Sequence, residues 1–374
     1  MNDSDTRLCL KLHSIPGVSD TLLSRLFLHF GSARAIWESS PAKQWADLGA
    51  SKETVHFADM ALRSRGNAPP VDIEAQLDSL DHLGAEVLAL TDAAYPALLR
   101  TIYDPPPLLY VRGDSSLLQE AQLAVVGARK ASPAGRRAAR ILSAQLVEAG
   151  LHVCSGLAMG IDAEAHSAAL SAGGSSIAVM ATGIDVVYPA RHRGLAEDLA
   201  AAGCLLTEYP PGCKPERYRF PRRNRILSGL SLGVLVVEAA LRSGSLITAG
   251  TALEQGREVF ALPWAMFHES GRGCLRLIRD GAKMVECVAD ILDELGPLYT
   301  LQKDLFTGCA GAEEVPGQAP PGQCRILAMI GFEAVTVDEL VQQSSLPVAR
   351  VMAALSVLEM EGHISRCAGG YIHC

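Results

Sequence analysis

Residues 123–137 read LAVVGARKASPAGRR. An apolar run closes on a glycine, two cations follow, and Pro133 stands where the first turn of a helix tolerates it. That order describes a buried strand, a small-residue turn and a helix. The plan recurs downstream in LHVCSG (151–156), SIAVMATG (176–183), CLLTE (204–208), VLVVE (234–238), EVFALP (258–263) and KMVE (283–286), most of them separated by helical stretches such as Pro133 to Ala149. Continuous apolar runs of this length suit strands covered on both faces, so the alternation predicts an α/β fold with a mostly parallel sheet between helices. The turns at the carboxyl ends of such strands collect on one edge, which is where any ligand chemistry belongs.

Before this repeat, Glu86 to Leu90 and Leu108 to Val111 read as strands, with Tyr95-Pro96 and the rigid Pro105-Pro106-Pro107 between them. Residues 8–65 read as helices, with Leu22, Leu23, Leu26, Phe27 and Phe30 at helical spacing and Gly31 as a stop. Ile15-Pro16-Gly17-Val18-Ser19 is similar to a helix-hairpin-helix turn, but with only Lys11 and Arg25 nearby a plain packing hairpin is the favoured reading. The expected layout is a helical N-terminal domain over 1–66, of SAM or helix-hairpin-helix type. A sheet domain follows over 71–295, then a linker over 296–323, rich in Gly, Pro, Ala and Glu. Over 324–374 three short helices and a two-stranded wing resemble a winged helix, with Thr336 and Glu339 as a capping box. Its last helix, from Pro347, offers Arg350 against Glu359 and Glu361, which favours packing or protein contact over DNA reading.

The chain has 374 residues, 49% of them hydrophobic, and a formal charge of −8. That acidity hides a basic middle. Residues 1–126 carry 10 Lys+Arg against 16 Asp+Glu, residues 127–285 carry 19 against 13, and residues 286–374 carry 4 against 12. No window of about 18 uncharged apolar residues occurs and MNDSDTRLCLKLH lacks a signal core, so the expectation is a cytoplasmic protein without a membrane span. Ten cysteines form no CxxC pair and no zinc spacing, and read as reduced thiols with no metal.

The basic excess concentrates in ERYRFPRRNRILSGLSLGVLVVEAALRSGSLITA, residues 216–249. Arg217, Arg219, Arg222, Arg223 and Arg225 surround Phe220. Cations neutralise phosphates and an aromatic face stacks on any base, so the pattern suits single-stranded nucleic acid. Ser243-Gly244-Ser245 then leaves backbone amides free at a helix start, an anion site. Arg129 and Lys130 follow the first strand in the same way. Asp162 and His166 lie one helical turn apart, yet no nucleophile, second carboxylate or ligand set has the spacing to join them, which favours a capping Asp and a packed His. No GxGxxG and no P-loop is present.

GARKASPAGRR (127–137), SGLAMGIDAEAH (155–166), FPRRNRILSGLS (220–231), VVEAALRSGSLITA (236–249) and GCLRLIRDGA (273–282) together resemble the DprA/Smf family of DNA-processing proteins. YPALLRTIYDPPPLLYVRGD (95–114), the helical start and the winged-helix end agree with it. The resemblance implies an extended Rossmann-like, doubly wound sheet and a non-enzymatic protein without cofactor. It implies binding of single-stranded DNA, protection of the strand, loading of the RecA recombinase during natural transformation, and a homodimer. It places Arg129, Ser132, Ser155 and Gly156 in phosphate-contacting loops, Phe220 as a base-stacking residue beside Arg223 and Asn224, and Ser243, Gly244, Ser245 and Thr248 in a binding turn. With Lys130, Arg222 and Arg225 these are the expected DNA-binding residues. Met159 stands where the family usually has a basic residue and Trp264 where it commonly has a glycine. Two other readings stay open: a nucleotide phosphoribohydrolase built on Asp162, Glu238 and Ser243-Gly244-Ser245, and an adaptor whose acidic ends bind proteins.

Overall fold

The computed structural model describes residues 3–40, 44–63, 72–296, 336–344, 351, 355, 364–367 and 370–373. It forms two units, residues 1–307 and 308–374. In the first, helices α1 (Asp3–His13), α2 (Asp20–Phe30), α3 (Ala33–Trp37), α4 (Lys52–Arg63) and α5 (Ile73–Leu83) precede the sheet. Ser19 caps α2 by accepting from Leu22 N at 3.2 Å, and Gly31 ends it in the left-handed region that glycine tolerates. The Pro16-Gly17 turn packs against α4. Thr54 Oγ1 donates to Gly17 O at 3.3 Å, and a Cβ on Gly17 would lie 2.3 Å from that hydroxyl.

The sheet has nine strands: β1 (Ala85–Ala89), β2 (Leu108–Gly113), β3 (Gln122–Gly127), β4 (His152–Ser155), β5 (Ser176–Val179), β6 (Cys204–Thr207), β7 (Gly233–Glu238), β8 (Glu258–Ala261) and β9 (Lys283–Met284). Their spatial order is β1-β2-β6-β5-β4-β3-β7-β8-β9. From β6 to β9 every pairing is parallel, and only β1–β2 and β2–β6 are antiparallel. The helices α6 (Ala97–Arg100), α7 (Pro133–Glu148), α8 (Ile161–Ser171), α9 (Arg193–Ala202), α10 (Arg219–Leu230), α11 (Ser245–Glu254) and α12 (Arg272–Arg279) complete the layers.

Alternation along the strands divides the core. Leu123 and Val125 of β3 join Leu235 and Val237 of β7 on one face, under Leu142 and Leu146 of α7 and Ile161 and Ala165 of α8. Ala124, Val126, Val234 and Val236 face the other way, against Ile226 and Leu230 of α10. The N-terminal helices share this second core, so Leu23, Leu26 and Phe27 belong to the cluster that holds the sheet. The boundary expected at 66–71 falls outside the described residues, as does all but the first residue of the expected linker. Of the described cysteines, Cys9, Cys154, Cys204 and Cys274 are buried and Cys287 is exposed.

In the second unit, α13 (Val337–Ser344) opens with Thr336 and Glu339 as a reciprocal cap. Thr336 N donates to Glu339 Oε2 at 2.9 Å, and Glu339 N to Thr336 Oγ1 at 3.3 Å. Strands β10 (Ile364–Cys367) and β11 (Gly370–His373) pair antiparallel as a wing. Arg350, Glu359 and Glu361 lie outside the described residues.

His166 of α8 is fully buried; its Nδ1 is 2.7 Å from Ser176 Oγ, which donates to Val153 O. Burial, with the charges of Arg223 and His192, lowers its pKa from 6.5 to about 3. The unfolded chain therefore takes up a proton that the fold refuses between those values, and stability falls as pH drops below 6.5, by about 1.4 kcal/mol per unit. Thermal melts from pH 8 to pH 5 are expected to fall less steeply for His166→Gln than for the wild type. Equal slopes would mean that the folded histidine protonates freely.

Candidate functional site

Helical periodicity sorts the arginine cluster. Phe220, Arg223, Asn224 and Leu227 recur at i, i+3, i+4 and i+7 along α10 and line a cavity of about 560 Å3 at the carboxyl edge of the sheet. Arg222 and Arg225 fall on the opposite face, where carboxylates hold them. Arg222 Nη2 lies 2.6 Å from Asp20 Oδ2 and 3.7 Å from Glu208 Oε2. Arg225 Nη2 lies 2.7 Å from the same Glu208 oxygen, and its Nε 3.3 Å from Asp104 Oδ2. Burial raises the pKa of Glu208, against the pull of these two arginines. For Asp20, burial also disfavours charge, but the hydrogen bond and charge of His13 and the guanidinium of Arg222 outweigh it and hold its carboxyl below the usual range. Two of the expected groove cations thus clamp α10 to α2 and to the loop before β2.

Arg223 faces the cavity but is only 5% exposed. It donates to Val179 O through Nη1, and its Nε finds no partner among the described residues. Burial lowers its pKa while the nearby Asp162 raises it, and a guanidinium remains a cation in either case. Gly156 permits this placement, since a Cβ there would stand 2.3 Å from Arg223 Nη1. Asp162 accepts from Gly156 N at 3.2 Å and Ala158 N at 3.4 Å, and burial raises its pKa against the pull of Arg223. Arg223 is therefore the floor of the cavity rather than a cation on its rim.

The rim comes from three loops. Arg129, exposed after β3, holds its guanidinium carbon 5.3 Å from the Phe220 ring centre. Tyr188, from the loop after β5, lies 5.7 Å from Phe220 with the rings tilted by 57°. Ser243, Gly244, Ser245 and Thr248 line the cavity at the amino end of α11, where the helix dipole favours an anion. Ser243 Oγ and Ser245 Oγ are 2.6 Å apart.

The other expected residues lie outside the cavity. Lys130 is exposed next to Arg129. Ser132 caps α7, accepting from Gly135 N at 3.0 Å, while its N and Oγ donate to Glu238 Oε2 at 2.9 and 3.1 Å. Ser155 is buried and donates to Val125 O at 2.6 Å. Glu238, at 0% exposure, also meets His268 Nε2 at 3.2 Å and accepts from Ser270. Trp264 fills space behind this cluster, donating to Val237 O at 2.8 Å and stacking on His268 at 4.4 Å. The Arg191 guanidinium rests on the Met159 thioether, so a cation covers that position. Tyr188 and Ile247 line the cavity without having been expected there; so do Asp162, named only in the phosphoribohydrolase reading, and Arg217, read only as part of the cluster. Tyr188 was within reach of the sequence, because it follows β5 on the edge where all such loops meet.

No group of three or more His, Cys, Asp or Glu positioned for a metal occurs among the described residues, and no described helix is long and apolar enough to cross a membrane. Gly156→Ala is expected to displace Arg223 and cost about 1–3 kcal/mol in urea unfolding. An unchanged midpoint would show that the guanidinium has room to move.

The chain can be set beside known proteins on this geometry. A profile of the DNA recombination-mediator protein A family matches residues 86–296, and one of the DprA winged helix domain matches residues 311–370. Protein Smf of Synechocystis sp. is 35% identical over 99% of this chain and 98% of its own length. Protein Smf of Escherichia coli is 41% identical over 81% of each. The X-ray structure of DNA processing protein A from Streptococcus pneumoniae superposes with a TM-score of 0.67 at 36% identity, covering 76% of this chain and 96% of that one. A structure of DNA processing protein A from Helicobacter pylori, described by its single-stranded DNA binding mode, gives a TM-score of 0.53 at 28% identity over 58% and 98%. The doubly wound sheet, the loops on its carboxyl edge and the winged-helix end agree with these matches, and the chain belongs to the DNA recombination-mediator protein A family.

Proposed function

We propose that this chain binds single-stranded DNA with little sequence preference, shields it, and loads the RecA recombinase onto it during natural transformation, acting as a cytoplasmic homodimer without catalysis. The observation that carries the DNA reading is the cavity at the carboxyl edge, where Arg129 lies over Phe220 and the amino end of α11 opens beside them. A phosphate held by Arg129 beside the positive end of the α11 dipole leaves the adjoining base beside Phe220. Such contacts neutralise charge and stack without reading base edges, so discrimination among sequences is weak. The single-stranded DNA binding mode of the Helicobacter pylori protein supports the same ligand. Recombinase loading, the homodimer and the place in transformation rest on family membership. Lys130 adds charge outside the cavity, and Arg222, Arg225, Ser132 and Ser155 act as supports rather than as DNA contacts. The absence of catalysis is supported by the carboxylates that an enzyme would need. Glu238 is shut away with Ser132, His268 and Ser270, and Asp162 is spent on the amides of Gly156 and Ala158.

Fluorescence anisotropy of a labelled dT strand across a salt series, with a matched duplex as control, tests this. Arg129→Ala is expected to reduce the slope of log affinity against log salt by about 0.7, the share of one phosphate on a single strand. Phe220→Ala is expected to weaken binding by about 5- to 150-fold with the slope retained. Arg222→Ala should leave the slope unchanged. Duplex bound as tightly as single strand, or a slope lost with Arg222 and kept without Arg129, would refute the assignment. RecA filament growth on the same strand, followed by its ATP hydrolysis with and without this protein, checks the loading step. An unchanged lag would remove it.

A further inference from the structure

The segment from Tyr188 to Arg191 begins at the cavity, which Tyr188 lines, and has no part in the arginine cluster. Tyr188 lines the cavity and is 48% exposed, with its ring beside Phe220. Arg129 lies over Phe220, whereas no described cation lies over Tyr188. An exposed aromatic next to a cationic cleft is a surface on which a base stacks, because every base offers a π-face.

Three residues on, Arg191 is exposed, and its guanidinium meets the thioether of Met159. Sulfur of that kind is a weak acceptor and does not neutralise a guanidinium. No carboxylate forms a salt bridge with Arg191 among the described residues. Arg193 differs, since it lines a separate cavity with Asp185 and Glu197 and so has acids at hand.

The segment is held in place. His192 Nδ1 lies 3.0 Å from Leu157 O, and Leu157 is buried at a φ of 55°, in the left-handed region that a leucine adopts only when its surroundings impose it. Thr182 Oγ1 donates to Val186 O at 2.5 Å at the start of the same loop. The loops after β4 and β5 are thereby locked together, and Tyr188 and Arg191 are presented from a fixed edge.

We propose that residues 188–191 form a second lip of the groove, on which Tyr188 stacks the base next to the one on Phe220 and Arg191 neutralises a phosphate of that nucleotide. The inference rests on the single-strand reading above and extends the strand's path from the cavity across Met159. It adds a stacking face and a phosphate contact that the arginine cluster does not supply.

Binding of labelled dT strands across a salt series is measured for the full chain, for Tyr188→Ala, Tyr188→Phe and Arg191→Ala, and for Arg191→Ala combined with Met159→Arg. Phe220→Ala serves as the control for the cavity. Tyr188→Ala is expected to weaken binding by about 5- to 150-fold at unchanged salt slope, and Tyr188→Phe to retain it. Arg191→Ala is expected to reduce the slope by about 0.7, and Met159→Arg in that background to return it, because the new cation occupies the same place. Wild-type titrations from Tyr188→Ala and Arg191→Ala, while Phe220→Ala still loses affinity, would overturn the second lip and leave the single-strand reading standing. Absence of binding by the unaltered chain would overturn both.

Discussion

The parallel pairing of β3 with β7 governs the rest of this molecule. Ala124 to Val126 register with Val234 to Val236, although the chain builds β4, β5 and β6 on the other side of β3 before returning to lay down β7. Connections leaving the two strands must therefore diverge, and a crevice opens between them at the carboxyl edge. The register shifts between Val126 and Gly127, and Ala128 N then donates to Glu238 O at 2.7 Å, holding the two strand ends together beneath the crevice. Gly127 allows it, since a Cβ there would lie 2.5 Å from Ile161 Cγ1. The Arg129 loop and the amino end of α11 are the two sides of that opening.

Charge is then divided between structure and surface. A buried carboxylate is costly unless cations and hydrogen bonds surround it, and removing one partner of such a pair is worse than never having built it. Glu208, at 5% exposure, is met by Arg225 and Arg222, which also bind Asp104 and Asp20. The Arg222–Asp20 pair joins α10 to the N-terminal helix α2. Ser24 Oγ, donating to Pro105 O at 2.8 Å, adds a second tie between the same layers. Arg223 performs the corresponding task inside the sheet domain, where it spans Gly156, Val179 O and Asp162 and sets the depth of the cavity.

The rim residues show the opposite economy. Arg129 has an aromatic ring as its neighbour, while Ser243 and Ser245 are hydrogen-bonded to each other. Groups that meet a polyanion from solvent must carry charge that the protein has not already neutralised. Loops at the ends of parallel strands supply such groups because their side chains project away from the layers that need burial.

Much of this was legible in the amino-acid sequence, for a local reason. Apolar runs such as LAVVG and VLVVE, closed by small residues and followed by helical spacing, mark strand, turn and helix wherever they occur, and the expected strands lie within a few residues of the observed ones. The Thr336 and Glu339 cap and the Gly31 stop were equally local. The direction of each arginine was partly legible: FPRRNRIL carries a helical period that puts Phe220, Arg223 and Asn224 on one face, but composition alone made all five arginines look alike. Only the folded chain decided that Glu208, Asp20 and Asp104 would claim Arg222 and Arg225, because those carboxylates arrive from distant segments. It also decided that Trp264 would fill space behind Glu238, that Tyr188 would reach the cavity and that Arg191 would meet Met159. Such pairings depend on which strand ends become neighbours, and that is set by the order of the whole sheet rather than by any stretch read on its own.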